Sequence, residues 1–368
     1  DKGGDIVIIF IIALAIMCVV GIKFSFKDGF ADYCSPEKTG AIKGIFVFIV
    51  VLSHARSYFP ILEAPQGAFY REFLNFFGQL MVVVFLMYSG YGVWLAIKNK
   101  DGYIKTIPTK RAFKVWLHFA IAVTVFYIVG LCLGKGYSLK TLLLSYIGLS
   151  GVGNSAWFII DIIILYLLTF AAFAVCGRKH MLLGTIVTTV LSFGALLALR
   201  KWQFGNNWWY DTVMCYPLGM WYAMAKPYID KHILPSFWKW LLCTLALGAA
   251  FGGFRYLIYS QANRLIFFIP ASFAFGLLII FLSMRISLNN AVLRWFGKRV
   301  FGVYILQRIP MIVLSHFGAE SKPVLFTAAC IAITIVIAEV FERLMGKLDI
   351  ALHLSKKPKK AVKEAANI

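Results

Sequence analysis

Lys43 and His54 stand eleven residues apart in one apolar stretch, KGIFVFIVVLSHARSYF, residues 43–59. On a helix that spacing is about 16 Å of rise and about 20° of net rotation, so both side chains share a face. Histidine is the side chain best suited to taking and returning a proton near neutral pH. A lone histidine in an apolar run is most simply a neutral, hydrogen-bonded core residue. Here Ser53, Arg56 and a lysine on its own face accompany it, and ionisable groups inside such runs mark function by default. Arg56 lies about 200° around the helix from His54 and belongs to another face.

Few other ionisable groups interrupt the apolar runs. His118 lies one to two turns inside residues 112–131 without polar company, and core and functional readings stand even for it. Asp161, and Arg308 beside Gln307, lie at comparable depths in their runs and could pair with each other or each serve a site. Glu339 and Arg343 are i,i+4 and are expected to satisfy one another. His180, His232, His316 and His353 fall in loops or at a helix end and read as solvated bystanders. Lys110, Arg111 and Lys114 crowd the start of one run; such a cluster could bind phosphate groups or simply set topology. Gly90 and Gly92, in FLMYSGYGVW, could let helices approach closely or leave room for a ligand. Trp208, Trp209 and Tyr210 with Asp211 could stack on and hydrogen-bond a sugar, or form an interfacial belt.

The elements that hold these residues follow from composition. The chain has 368 residues, 61% hydrophobic and only 14% charged, about half the charged share of soluble domains. One soluble core cannot absorb that much apolar surface. Long unbroken apolar runs exclude a β-barrel and leave an all-α, polytopic transmembrane helical bundle. Runs of spanning length fall near 5–22, 42–59, 79–97, 112–131, 157–175, 182–199, 209–225, 238–257, 264–284, 299–316 and 323–345, about eleven helices. The first is read as a retained helix, not a signal peptide. The formal charge of +21 sits in short loops and does not imply nucleic acid as a partner. Lysine and arginine crowd alternate loops, which predicts an outside N-terminus, a cytoplasmic C-terminus and a helix 42–59 running outward. Residues 60–78 and 132–156 are expected to hold short interfacial helices, and the basic tail a surface-lying or disordered segment. Seven scattered cysteines without a CxxC pair indicate neither disulfides nor a metal site.

Taken together, five segments resemble the acyltransferase-3 family of integral membrane O-acyltransferases. Lys43-x10-His54 is similar to its Arg/Lys-x10-His signature. FLMYSGYGVW at 85–94, with Ser89 and Tyr91, is like its SGY segment, and KRAFKV at 110–115 like its basic helix start. SAWFIIDIIILYLL at 155–168, with Trp157 and Tyr166, resembles its Trp-Phe helix. WFGKRVFGVYILQ at 295–307 is similar to a segment in which many members carry histidine where Gln307 stands. Asp161 falls one residue before the family's usual glutamate, and residues 5–22 precede the family's ten-helix core.

The resemblance implies an extra helix and linker over 1–40, an acyltransferase-like domain over 41–346 and a basic tail over 347–368. It also implies acyl-CoA, in particular acetyl-CoA, as cytoplasmic donor and an envelope carbohydrate or related polymer as acceptor, in the inner membrane. Lys110, Arg111 and Lys114 would hold the nucleotide phosphates, with Lys43 assisting and Ser89 and Tyr91 nearby. His54 would be the general base, with Asp161, Gln307 and Arg308 in support. Trp157, Trp209, Tyr210 and Asp211 would face the acceptor. The alternative is a transporter in which His54, Asp161 and Arg308 line a proton or substrate path.

Overall fold

The computed structural model describes residues 8–59, 68–260 and 264–355. Each of the eleven apolar runs carries helix, and among the described residues eight helices are long and apolar enough to cross a membrane. The chain is a multi-pass, all-helical bundle. The expected basic tail from Lys356 onward, and the first part of the 60–78 connection, lie outside the described residues.

The chain opens with α1 (Ile8–Val19) and the short strand β1 (Lys23–Phe24), then reaches α2 (Pro36–Arg56), which carries the Lys43–His54 face. Ser35 caps α2 through its hydroxyl, which accepts the Lys38 N–H at 3.3 Å, and Pro36 and Glu37 fill the first turn. These residues leave fewer orphan donors and complement the helix dipole. α3 (Ala68–Phe77) is the short helix expected in the first long connection. α4 (Leu80–Asn99) follows, then α5 (Tyr103–Ile107), a π-helical turn (Pro108–Phe113) and α6 (Lys114–Cys132). The other expected short helix, α7 (Leu139–Ser145), is capped by Ser138, which accepts the Thr141 N–H at 3.1 Å.

α8 (Trp157–Cys176), α9 (Met181–Trp202), α10 (Cys215–His232), α11 (Phe237–Ser260) and α12 (Arg264–Ser283) build the middle of the bundle. β2 (Ile286–Ser287) pairs antiparallel with β1, and α13 (Ala291–Lys298) packs on α2. The run expected over 299–316 is broken into α14 (Val300–Leu306) and α15 (Arg308–His316). Pro310 accounts for the break: it has no N–H for the Leu306 carbonyl, and its ring crowds that carbonyl. α16 (Pro323–Ala351) ends the described chain.

Two crossings rest on glycine. A Cβ at Gly90 of α4 would lie 2.0 Å from the Tyr216 carbonyl oxygen, and one at Gly219 of α10 would lie 1.9 Å from that of Met87. On α2 and α13, Gly44 meets the Leu293 backbone and Gly297 the Gly40 backbone just as closely. Small residues let backbones touch where no side-chain layer intervenes. The fully buried Arg285 fastens β1 and its sequel: Nη1 donates to the Ser25, Phe26 and Lys27 carbonyls and Nη2 to that of Leu234, at 2.8–3.2 Å.

Gly219→Ala should force α4 and α10 apart and cost about 1–3 kcal/mol, the usual price of overpacking. Thermal melting of the detergent-solubilised protein measures this; an unchanged midpoint would show that the crossing tolerates a methyl group.

Candidate active site

Two cavities approach each other from opposite ends of α2. His54 stands in the last turn of that helix, nearer its end than the centre of the run 42–59 suggests. It lines a cavity of about 600 Å³ together with Ser53, Gln79, Trp157, Trp209 and Arg308. Lys43 lines the other, of about 350 Å³, with Ser89, Gly92, Arg111 and Tyr166. Tyr304 of α14 belongs to both walls. Its ring packs against Phe158 with centroids 5.2 Å apart, and Phe158 against Phe85 at 6.0 Å, so an aromatic layer separates the two spaces.

Around His54 the polar groups are few and incompletely paired. Its Nδ1 is buried without a partner, and Gln307 and Arg308 are the neighbours that act on the ring. Gln307 sits at the α14–α15 break, fully buried; its amide donates to the Tyr304 carbonyl at 3.1 Å, and its Oε1 has no partner. Among the described residues, Arg308 hydrogen-bonds only the Ser155 hydroxyl, at 3.5 Å. Asp161 is buried with both carboxyl oxygens unpartnered; it acts on Tyr304 and forms no ion pair with Arg308 among the described residues. Arg56 turns away, as its helical angle requires, and donates to Asn75 at 2.7 Å.

The Lys43 cavity has a different chemistry. The Ser89 and Tyr166 hydroxyls are hydrogen-bonded at 2.8 Å, and Arg111 Nε donates to the Tyr103 hydroxyl at 2.8 Å. Gly92 meets nothing within 4 Å of a built Cβ, so it opens this space, whereas Gly90 serves the helix crossing. Each glycine realises one of the two roles available to the pair.

A family model for an acyltransferase domain matches residues 40–343. The chain belongs to the acyltransferase-3 family. It is a membrane acyltransferase, and the match begins at the Lys43–His54 helix and ends within α16. Neither a curated protein nor a solved structure matches the chain.

In this acyltransferase-3 bundle the basic cluster 110–114 is divided. The π-helical turn changes the angular step between residues, and Arg111 points into the Lys43 cavity while Lys110 stays exposed. Lys114 turns to α16: its Nζ lies 2.6 Å from Asp349 and donates to the Ser355 hydroxyl at 3.0 Å. The other Asp349 oxygen meets His118 Nε2 at 2.8 Å. Lys114, partly buried, and His118, buried, thus form one fastening between α6 and α16 through Asp349. The Glu339–Arg343 pair is present and larger than expected, since Glu339 also accepts from Arg299 and the Trp295 indole. Tyr91 lies outside both linings, its ring 6.2 Å from that of Tyr222.

Trp157 and Trp209 line the His54 cavity, while Tyr210 and Asp211 stand behind it. The Tyr210 hydroxyl donates to Asn207 at 2.6 Å. Asp211 accepts from Arg264 at 3.2 Å. With its amide turned to satisfy its neighbours, Gln79 donates to Asp211 at 3.1 Å and accepts from the Trp208 N–H at 2.7 Å. Asp211 therefore orients a cavity residue without entering the cavity. Sequence reasoning passed over Gln79 and Tyr304. Gln79 sits at a helix junction with no motif to mark it, but Tyr304 fell inside the recognised segment one turn before Gln307.

The helix α10 begins at Cys215, later than the run 209–225 suggests, so Asp211 stands ahead of it and outside the spans. Burial pushes its carboxyl up to about 6 from the ordinary 3.8, against the pull of the Arg264 guanidinium. Because the folded value is the higher one, the folded state holds this proton between about pH 4 and 6. The group's stabilising contribution is full below that window and is lost as pH rises through it. Asp211→Asn should flatten that segment of a melting-temperature profile against pH. An identical slope in the variant would assign the titration elsewhere.

Proposed function

We propose that this membrane acyltransferase carries an acyl group, acetyl in the first instance, from cytoplasmic acyl-CoA to a hydroxyl of a cell-envelope carbohydrate, with His54 as general base. The observation that carries the reading is the pair of cavities meeting at Tyr304, with Lys43 and Arg111 on one side and the histidine with Arg308 on the other. Lys43 and Arg111 suit the anionic donor. Trp157 and Trp209 offer flat apolar faces on which a sugar ring can lie. The distribution of lysine and arginine supports an inner-membrane protein with its Lys43 end cytoplasmic. The acyltransferase domain then occupies 41–346, with α1 and its linker added in front.

The chemistry needs one base and one stabilised oxyanion. Gln307 Oε1 and His54 Nδ1, both buried and lacking other partners, would pair, leaving Nε2 as the basic nitrogen. The acceptor hydroxyl gives its proton to Nε2 as its oxygen attacks the thioester carbon. Arg308 stabilises the oxyanion. Collapse breaks the carbon–sulfur bond, and the leaving thiolate takes the proton back from His54. Donor and acceptor must come within about 3–3.5 Å, so the thioester has to reach the Tyr304 layer.

His54→Ala should lower turnover by about 10²–10⁴-fold, the range for a general base, with expression and melting temperature intact. Radiolabelled acetyl-CoA and purified protein in lipid measure it, and undiminished transfer would sink the mechanism. Gly92→Leu should fill the Lys43 cavity and raise the KM for acetyl-CoA by about tenfold or more, leaving the fold untouched. An unaltered KM would mean that the donor takes another route.

A further inference from the structure

Beside the Lys43 cavity lies a third hollow, of about 390 Å³, walled by Lys100, Tyr103, Lys105, Phe170, Phe173 and Arg178. It continues the line of that cavity on the side away from His54. Tyr166 of the cavity and Phe170 and Phe173 of the hollow follow one another along α8, about 6 and 10 Å apart from Tyr166 by helical rise. Between the two spaces stands the hydrogen bond from Arg111 to the Tyr103 hydroxyl, with Arg111 in one wall and Tyr103 in the other.

Two of the three charges at the rim have no ion-pair partner among the described residues. Lys100 and Lys105 are exposed, and neither is ion-paired among the described residues. Arg178 donates to the Lys98 carbonyl at 2.9 Å and pairs with Asp101, which neutralises the carboxylate nearest the rim. The walls below offer aromatic faces. Unspent cations above flat rings suit a ligand with phosphates and a planar base. Meanwhile Lys114, one of the three residues expected from the sequence to hold phosphates, is held by Asp349.

We propose that this hollow binds the phosphorylated nucleotide end of the acyl donor, with Lys100 and Lys105 on the phosphates and the base against Tyr103 and Phe170. The site rests on the acyl-CoA reading given above. The arm of the donor passes Tyr103 and Arg111 into the Lys43 cavity, which receives only the thioester end. Recognition of the carrier and positioning of the acyl group then fall to different residues.

The test uses the full chain in lipid nanodiscs and the variant Lys100→Glu/Lys105→Glu, whose two positions are exposed and leave the core intact. Acetyl-CoA, S-acetylpantetheine (which lacks the nucleotide) and adenosine 3′,5′-bisphosphate are the probes. The double variant should raise the KM for acetyl-CoA and the Kd for the bisphosphate by about tenfold or more, with S-acetylpantetheine turnover within about twofold of wild type. Equal losses with both thioesters, or an unmoved KM for acetyl-CoA, would overturn the site while the transferase reading stands. Wild-type protein that consumes neither thioester would overturn both.

Discussion

A cation withdrawn from water into an apolar bundle must be met by a partner or left facing a space that can be occupied. That constraint sorts the basic residues of this protein. Lys114 is met by Asp349, Arg299 by Glu339, and Arg285 by a ring of backbone carbonyls. These fasten one helix or strand to another. Lys43, Arg111 and Arg308 line cavities instead, and none of them is paired with a carboxylate among the described residues. The division between fastening and cavity-lining charge follows from the partners each cation finds, not from residue type.

The cavities exist because the helices around them are held at two different separations. Glycine contacts bring α4 onto α10 and α2 onto α13 at backbone distance. With those crossings closed, the remaining space collects beside α2, where Gly92 leaves it open and the broken α14–α15 helix brings Gln307 and Arg308 to the histidine. α2 itself is unbroken, so the distance between Lys43 and His54 is fixed by helical rise. One rigid element thus sets the separation of two chemically different ends.

Much of this was legible in sequence because it depends on local order. Apolar run length located the helices, and the Lys43–His54 spacing placed both side chains on one face. What depends on contacts between distant segments was not legible. Lys114 looked like a site residue, and His118 stood even between core and site, until Asp349, in the last helix, took both. Gly90 and Gly92 are two residues apart in one motif, yet only the partner helix reveals that one is for packing and the other for space. Arg111 and Lys114 share a face on a regular helix, and the π-helical turn beginning at Pro108 separates them. Asp161 and Arg308 have matching depths, which says nothing about azimuth, and they do not pair.

The aromatic layer of Phe85, Phe158 and Tyr304 has a consequence for the membrane as an insulator. Were water to fill both cavities, high-dielectric medium would come close to these rings from either side. A transmembrane potential, about 2.3 kcal/mol per elementary charge per 100 mV, would then fall mainly across a layer one side chain thick and not across the full bilayer. Any charge formed at that layer would meet the steepest part of the field, and the three rings would be the insulation there.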